Sequence, residues 1–120
     1  MKQAKTKLRR LMPSLREKKR YLVFKIISEA KIRDIFTLSN EINSAFVELF
    51  GNLGSSKAGL IFINNKFNEE KQSGIVRVNN KYVDNLKASL TMIKTINNQD
   101  IMLKSIGMSG ILKKAEQYIN

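Results

Sequence analysis

The 120 residues include no cysteine, no histidine and no tryptophan, and a single proline, Pro13. Without cysteine the chain can build no disulfide framework, no thiolate metal site and no cysteine nucleophile, a pattern that suits a reducing compartment. The missing histidine removes the commonest general base and a common transition-metal ligand. Uninterrupted apolar stretches reach only four residues, as at Leu60–Ile63, against the ~20 that span a bilayer. No membrane crossing is expected. The basic N-terminus precedes an apolar run broken by Lys25 and lacks a small-residue cleavage site. It does not read as a secretory signal, and the expected location is cytoplasmic.

Negative charge is scarce too: ten Asp and Glu stand against 22 Lys and Arg, for a net charge of +12. The excess is concentrated, because residues 1–33 hold 12 of the basic residues and only Glu17 and Glu29 among the acids. Such a footprint fits a polyanion, since each neutralised phosphate releases condensed counterions and the entropy gain drives binding. A solvated basic tail or a membrane-surface patch is the plainer alternative.

The acids that remain are scattered. Glu41 and Glu48 fall on the polar side of an amphipathic pattern, and Glu69 and Glu70 lie in a polar stretch without a partner in sequence. A protein nuclease normally clusters carboxylates around metal ions or uses histidine as acid and base. No G-x-S-x-G, S-x-x-K or P-loop spacing is present either. The expectation is a chain with no catalytic residue, no bound metal and no cofactor of its own.

Residues 1–13 alternate Lys and Arg with little apolar periodicity and read as a basic arm that orders on its partner. Residues 14–120 are expected to form one α/β sandwich domain that binds RNA. Tyr21–Ser28 is a compact β-branched and aromatic run, as in a central strand. Ile35, Leu38, Ile42, Phe46 and Leu49 then recur at helical spacing, with Asp34 to cap the start and Gly51 to end the helix. Gly51–Gly59, with three glycines and two serines, reads as a loop.

Leu60–Asn64 and Gly74–Asn79 read as a strand pair, Val83, Leu86, Leu90 and Ile93 as a second helix, and Ile101–Ile106 as a strand. Ser109 is placed to cap a last helix with Ile111, Leu112, Ala115 and Ile119 inside and Lys113 and Lys114 outside. The order strand, helix, strand, strand, helix, strand predicts an α+β, ferredoxin-like or RRM-like sandwich. Its four-stranded, mainly antiparallel sheet would carry helices on one face, with a C-terminal helix added.

An RNA-recognition motif stacks bases on ring side chains of a central strand. In Gly74–Asn79 the corresponding residue is Arg77, so recognition by shape and phosphate is favoured over base stacking. Arg77 suits a phosphate contact, or equally an arginine snorkelling from a half-exposed strand. Arg16, Lys18, Lys19 and Arg20, in the segment that joins arm to strand, are the foremost RNA-contact candidates, with Arg9 and Arg10 in the arm. Ser109, between Gly107 and Gly110, offers a phosphate cradle or an ordinary capped turn, and Lys113 and Lys114 complete the candidate set. Phe36, Phe50, Phe62 and Phe67 are core candidates that could also form a protein-contact patch.

The block Pro13-Ser14-Leu15-Arg16-Glu17-Lys18-Lys19-Arg20-Tyr21, with Gly74-Ile75-Val76-Arg77-Val78 and Ser109-Gly110-Ile111, resembles the archaeal ribonuclease P protein component 2 family from about Leu11 onward. Met12 stands where that pattern often has a second proline, and residues 1–10 lie outside the shared region. The resemblance implies a non-catalytic subunit of a ribozyme whose RNA uses Mg²⁺ to remove the 5′ leader of precursor tRNA. It also implies binding to the catalytic domain of that RNA beside a larger, TIM-barrel-like protein, in a heterotetramer built about a dimer of the small subunit. Two rivals remain: another structured-RNA-binding ribonucleoprotein or ribosome assembly factor, and, far behind, an acylphosphatase-type enzyme built on Arg77 with Asn79 or Asn80.

Overall fold

The computed structural model describes residues 18–119, so the basic arm expected over 1–13, with Arg9 and Arg10, and Arg16 in the joining segment lie outside the described residues. Strand β1 (Lys19–Ser28) leads to helix α1 (Ile35–Ala58), then β2 (Ile61–Phe62), β3 (Ser73–Asn79), α2 (Val83–Met92), β4 (Thr95–Ile96), β5 (Gln99–Ser109) and a short α3 (Leu112–Glu116). The sheet runs β2-β3-β1-β5-β4, with every neighbouring pair antiparallel.

β1 occupies the centre, as its nearly unbroken apolar sequence predicts. Leu22, Phe24 and Ile26 point to the side of α1 and α2, where they join Leu38, Ile42, Phe46, Leu86 and Leu90 in the main core. Burying each of these side chains contributes about 2–3 kcal/mol. Val23 points the opposite way and packs with Ile75, Ala115 and Ile119. Helices therefore do not occupy one face alone: α3 covers part of the other face.

The expected fold class holds, but the sheet has five strands rather than four. Thr95–Ile96 pairs with Asp100–Gln99 across Asn97 and Asn98, both at positive φ (52° and 63°). Asparagine tolerates that left-handed geometry, which a two-residue type I′ hairpin requires. A second departure lies in α1. Asp34 caps its start as expected, its carboxylate accepting the Thr37 N–H at 3.0 Å. Gly51, at φ 76° and ψ 172°, interrupts the helix, yet helix resumes to Ala58 and ends at Gly59. Ala58 is fully buried, and that burial overrides the loop-like composition of the segment. Leu49, just before the kink, is 40% exposed, while Phe36, in the first turn, is 75% exposed and does not belong to the core. Phe50, Phe62 and Phe67 pack against the core's rim.

β5 contains a bulge. Val23 pairs with Gly107 but Phe24 with Ser105, so Ile106 is an extra residue and both it and Gly107 lie beneath α3. A bulge re-aims side chains in this way, and Ile106 joins the cluster around Val23.

Candidate nucleic-acid interface

Strand pairing brings sequence-distant candidates together at one end of the sheet. Tyr21 on β1 is opposite Arg77 on β3 and opposite Ser109 on β5, and Arg77 is opposite Ile61 on β2. Ile61, Arg77, Tyr21 and Ser109 thus form one row across four strands, on the face that α3 only partly covers. Lys19 lies one step beyond that row, paired with Asn79.

Lys18 is exposed, and its carbonyl accepts the Asn80 N–H at 2.8 Å, which ties the entry of β1 to the exit of β3. Arg20 lies against the Gly110 backbone and donates to the Lys19 carbonyl at 3.2 Å. The Lys19 ammonium reaches the Gly59 cap of α1, where a cation complements the helix's negative end. Lys113 and Lys114 are exposed on α3, just after Ser109. Arg77 is half-buried, and its Nε has no hydrogen-bond partner among the described residues. That Nε is also shielded from solvent.

Sequence reasoning missed Lys57 and Lys81. Both are exposed, one a turn before Gly59 and the other directly after Asn80, so both belong to this end of the sheet. Their positions follow only from strand order. Three ion pairs lie elsewhere: Lys31–Glu70 (3.2 Å) and Arg33–Glu69 (3.3 Å) beyond the far end of β1, and Lys66 with Glu116 of α3.

Of the two readings of Ser109, the structure shows the ordinary turn. α3 begins from Ile111, without a side-chain cap, and the Ser109 Oγ instead accepts the Ile111 N–H at 3.1 Å within the turn. That turn swings Ile111 outward, 54% exposed, rather than onto the helix's inner face, which Ala115 and Ile119 supply. Of the two asparagines weighed for an acylphosphatase-type site, Asn79 is buried and its side chain accepts the Lys81 N–H at 3.3 Å, while Asn80 is exposed. No group of three or more His, Cys, Asp or Glu capable of holding a metal is present among the described residues. None of their helices is long and apolar enough to cross a membrane.

Fold and surface together define a small α+β protein with a cationic sheet end. The Rpp14/Pop5 family model matches residues 20–120, and the chain belongs to that family. It is 35% identical over 107 residues to ribonuclease P protein component 2 of Thermococcus kodakarensis, covering 89% of this chain and 87% of that one. It is 35% identical over 109 residues to the protein of that name from Methanocaldococcus jannaschii, covering 91% and 78%. Its fold also matches a chain in the cryo-EM structure of yeast ribonuclease MRP, with a TM-score of 0.59 over 87% of each chain at 12% identity.

Proposed function

We propose that this chain is a non-catalytic protein subunit of ribonuclease P, binding the catalytic RNA and supporting its Mg²⁺-dependent removal of the 5′ leader from precursor tRNA. Family membership and the name shared by its relatives support the subunit role. One structural observation supports RNA contact: the register that sets Arg77, Tyr21 and Ser109 in a row, flanked by Lys18, Lys19, Arg20, Lys57, Lys81, Lys113 and Lys114. Cations on a rigid sheet cost less entropy to order than cations on a loop. The Arg77 Nε is buried, so a phosphate contact would fall to the outer guanidinium nitrogens of this half-buried arginine. The Mg²⁺ belongs to the RNA. The protein's part is to neutralise phosphate repulsion so that RNA helices close around the cleavage site at lower Mg²⁺. Its proposed partners are that RNA, the bound precursor tRNA and a larger TIM-barrel-like subunit, in a heterotetramer about a dimer of this chain.

The test is cleavage of precursor tRNA by the cognate ribonuclease P RNA at limiting Mg²⁺, with and without this protein and the larger subunit. The expected outcome is no cleavage by protein alone and faster cleavage, or a lower Mg²⁺ requirement, in the reconstituted set. An unchanged Mg²⁺ profile, with tight binding to other structured RNA, would instead assign the chain to assembly of a different ribonucleoprotein.

A further inference from the structure

The outer edge of β5 is open over most of its length. β4 pairs with it only at Thr95–Asp100 and Ile96–Gln99, and the Ile101 N–H then donates outward to the Lys94 carbonyl at 2.9 Å. Backbone N–H and C=O groups alternate sides along a strand, so those of Leu103 and Ser105 point outward as well. No other described backbone group meets them there. β5 is thus prepared to accept a further strand at two positions, spaced as an antiparallel partner would require.

A groove of about 670 Å³ follows this edge. Five consecutive β5 residues, Ile101 to Ser105, line it together with α2 residues and Ile27. Consecutive residues point to opposite faces of a sheet, so one groove touches all five only by running along the strand's edge. Its apolar surface includes Ile27 (49% exposed) and Met102 (59% exposed), with the buried Leu90 of α2 and Ile93 just after that helix. Its charged lining residues are Lys87, Lys94 and Lys104, and no carboxylate lines it.

We propose that this edge binds an extended, acidic segment of a partner protein, alternating carboxylate and aliphatic side chains, as an added strand beside β5. Main-chain hydrogen bonds to Leu103 and Ser105 would supply affinity, and alternate side chains would reach the apolar floor and the three lysines. RNA fits this edge poorly: phosphates offer acceptors only, which leaves the outward carbonyls of Leu103 and Ser105 without the donors that a strand supplies. A second copy of the chain fits poorly too, because edge-to-edge pairing would set the same lysine cluster against itself. The contact lies at the opposite end of β5 from Ser109 and does not depend on the RNA-facing reading.

The probe is a labelled ten-residue peptide of alternating Glu and Val, added to the full chain. Binding is followed by fluorescence anisotropy, and amide exchange at Leu103 and Ser105 by NMR. The expected result is binding with slowed exchange at those two amides. An otherwise identical peptide N-methylated on alternate residues, which cannot complete the ladder, should bind at least about tenfold more weakly. Exchanging charge in the double variant Lys94→Glu, Lys104→Glu should transfer preference to a peptide of alternating Lys and Val. Equal binding by the N-methylated peptide would overturn the proposal, as would unchanged exchange at saturating peptide. Protection of the same amides by a structured RNA instead, or by self-association without peptide, would overturn it as well.

Discussion

Gln72 shows how much one side chain can hold. It is buried at φ 50°; its Oε1 accepts the Ile32 N–H at 2.6 Å, and its Nε2 donates to the carbonyls of Ile32 (3.0 Å) and Glu69 (2.8 Å). The β1–α1 connection is thereby fastened to the turn before β3. Gln72→Ala would strand the Ile32 N–H and C=O and cost about 2–4 kcal/mol in chemical denaturation. Gln72→Gly loses the same bonds but accommodates positive φ, so it should be less destabilising than alanine by about 1 kcal/mol. Equal losses in the two variants would show that hydrogen bonding, not backbone strain, sets the whole effect. Two residues on, Gly74 pairs with Phe24, and a Cβ there would lie 2.8 Å from the Phe24 ring and 3.1 Å from the Phe67 ring. With Phe24 fully buried, Gly74→Ala should cost about 1–3 kcal/mol through overpacking, measured in the same way.

Among the elements, those carried by a long apolar period were legible in the sequence: β1, the first part of α1, α2 and the body of β5. What escaped reading was decided by contacts between distant residues. The helix between Gly51 and Gly59 depends on Ala58 finding the core. The bulge at Ile106 depends on α3 covering Gly107, against which the Tyr118 ring packs. The hairpin at Asn97-Asn98 did carry a local signal, since two asparagines between short apolar segments suit a turn with two positive φ values. The site's composition was legible as well, whereas its assembly depended on strand register that no local pattern encodes. At Gly51, φ 76° with ψ 172° is a conformation open essentially only to glycine. Gly51→Ala should therefore cost about 1–3 kcal/mol, despite alanine's higher helix propensity. The Asp34 carboxyl is held below its ordinary range, chiefly by the side-chain hydrogen bond from Thr37, then by the Thr37 backbone N–H. Because the folded chain lowers this pKa, the stabilisation is present above the unfolded value and is lost as pH falls through the folded one. Wild type should melt above Asp34→Asn at neutral pH, and the difference should shrink below about pH 4. A constant difference across that range would mean that the charge of the cap contributes nothing.

At the scale of the whole molecule the two ends of β1 differ in what their cations do. Beyond Ser28, Lys31 and Arg33 are engaged with Glu70 and Glu69. Around Lys19, the register gathers Lys18, Arg20, Arg77 and Lys81, and α3 adds Lys113 and Lys114, none of them in an ion pair among the described residues. A ten-residue strand separates these ends by about 30 Å, three times the Debye length of about 10 Å at 0.1 M salt, so phosphates at one end are screened from the other. Affinity for a structured RNA should accordingly fall with salt along a slope that counts the cations at the Lys19 end. Lys18→Ala, Arg77→Ala and Lys113→Ala should each reduce that slope by about 1 if the residue neutralises one phosphate, and Arg77→Ala should weaken binding most, because Arg77 stands within the row across the strands. Lys31→Ala and Arg33→Ala should leave the slope unchanged. If those two substitutions lowered it as much as the first three, RNA would be answering to net charge alone, and the row through Arg77, Tyr21 and Ser109 would have no special part in binding.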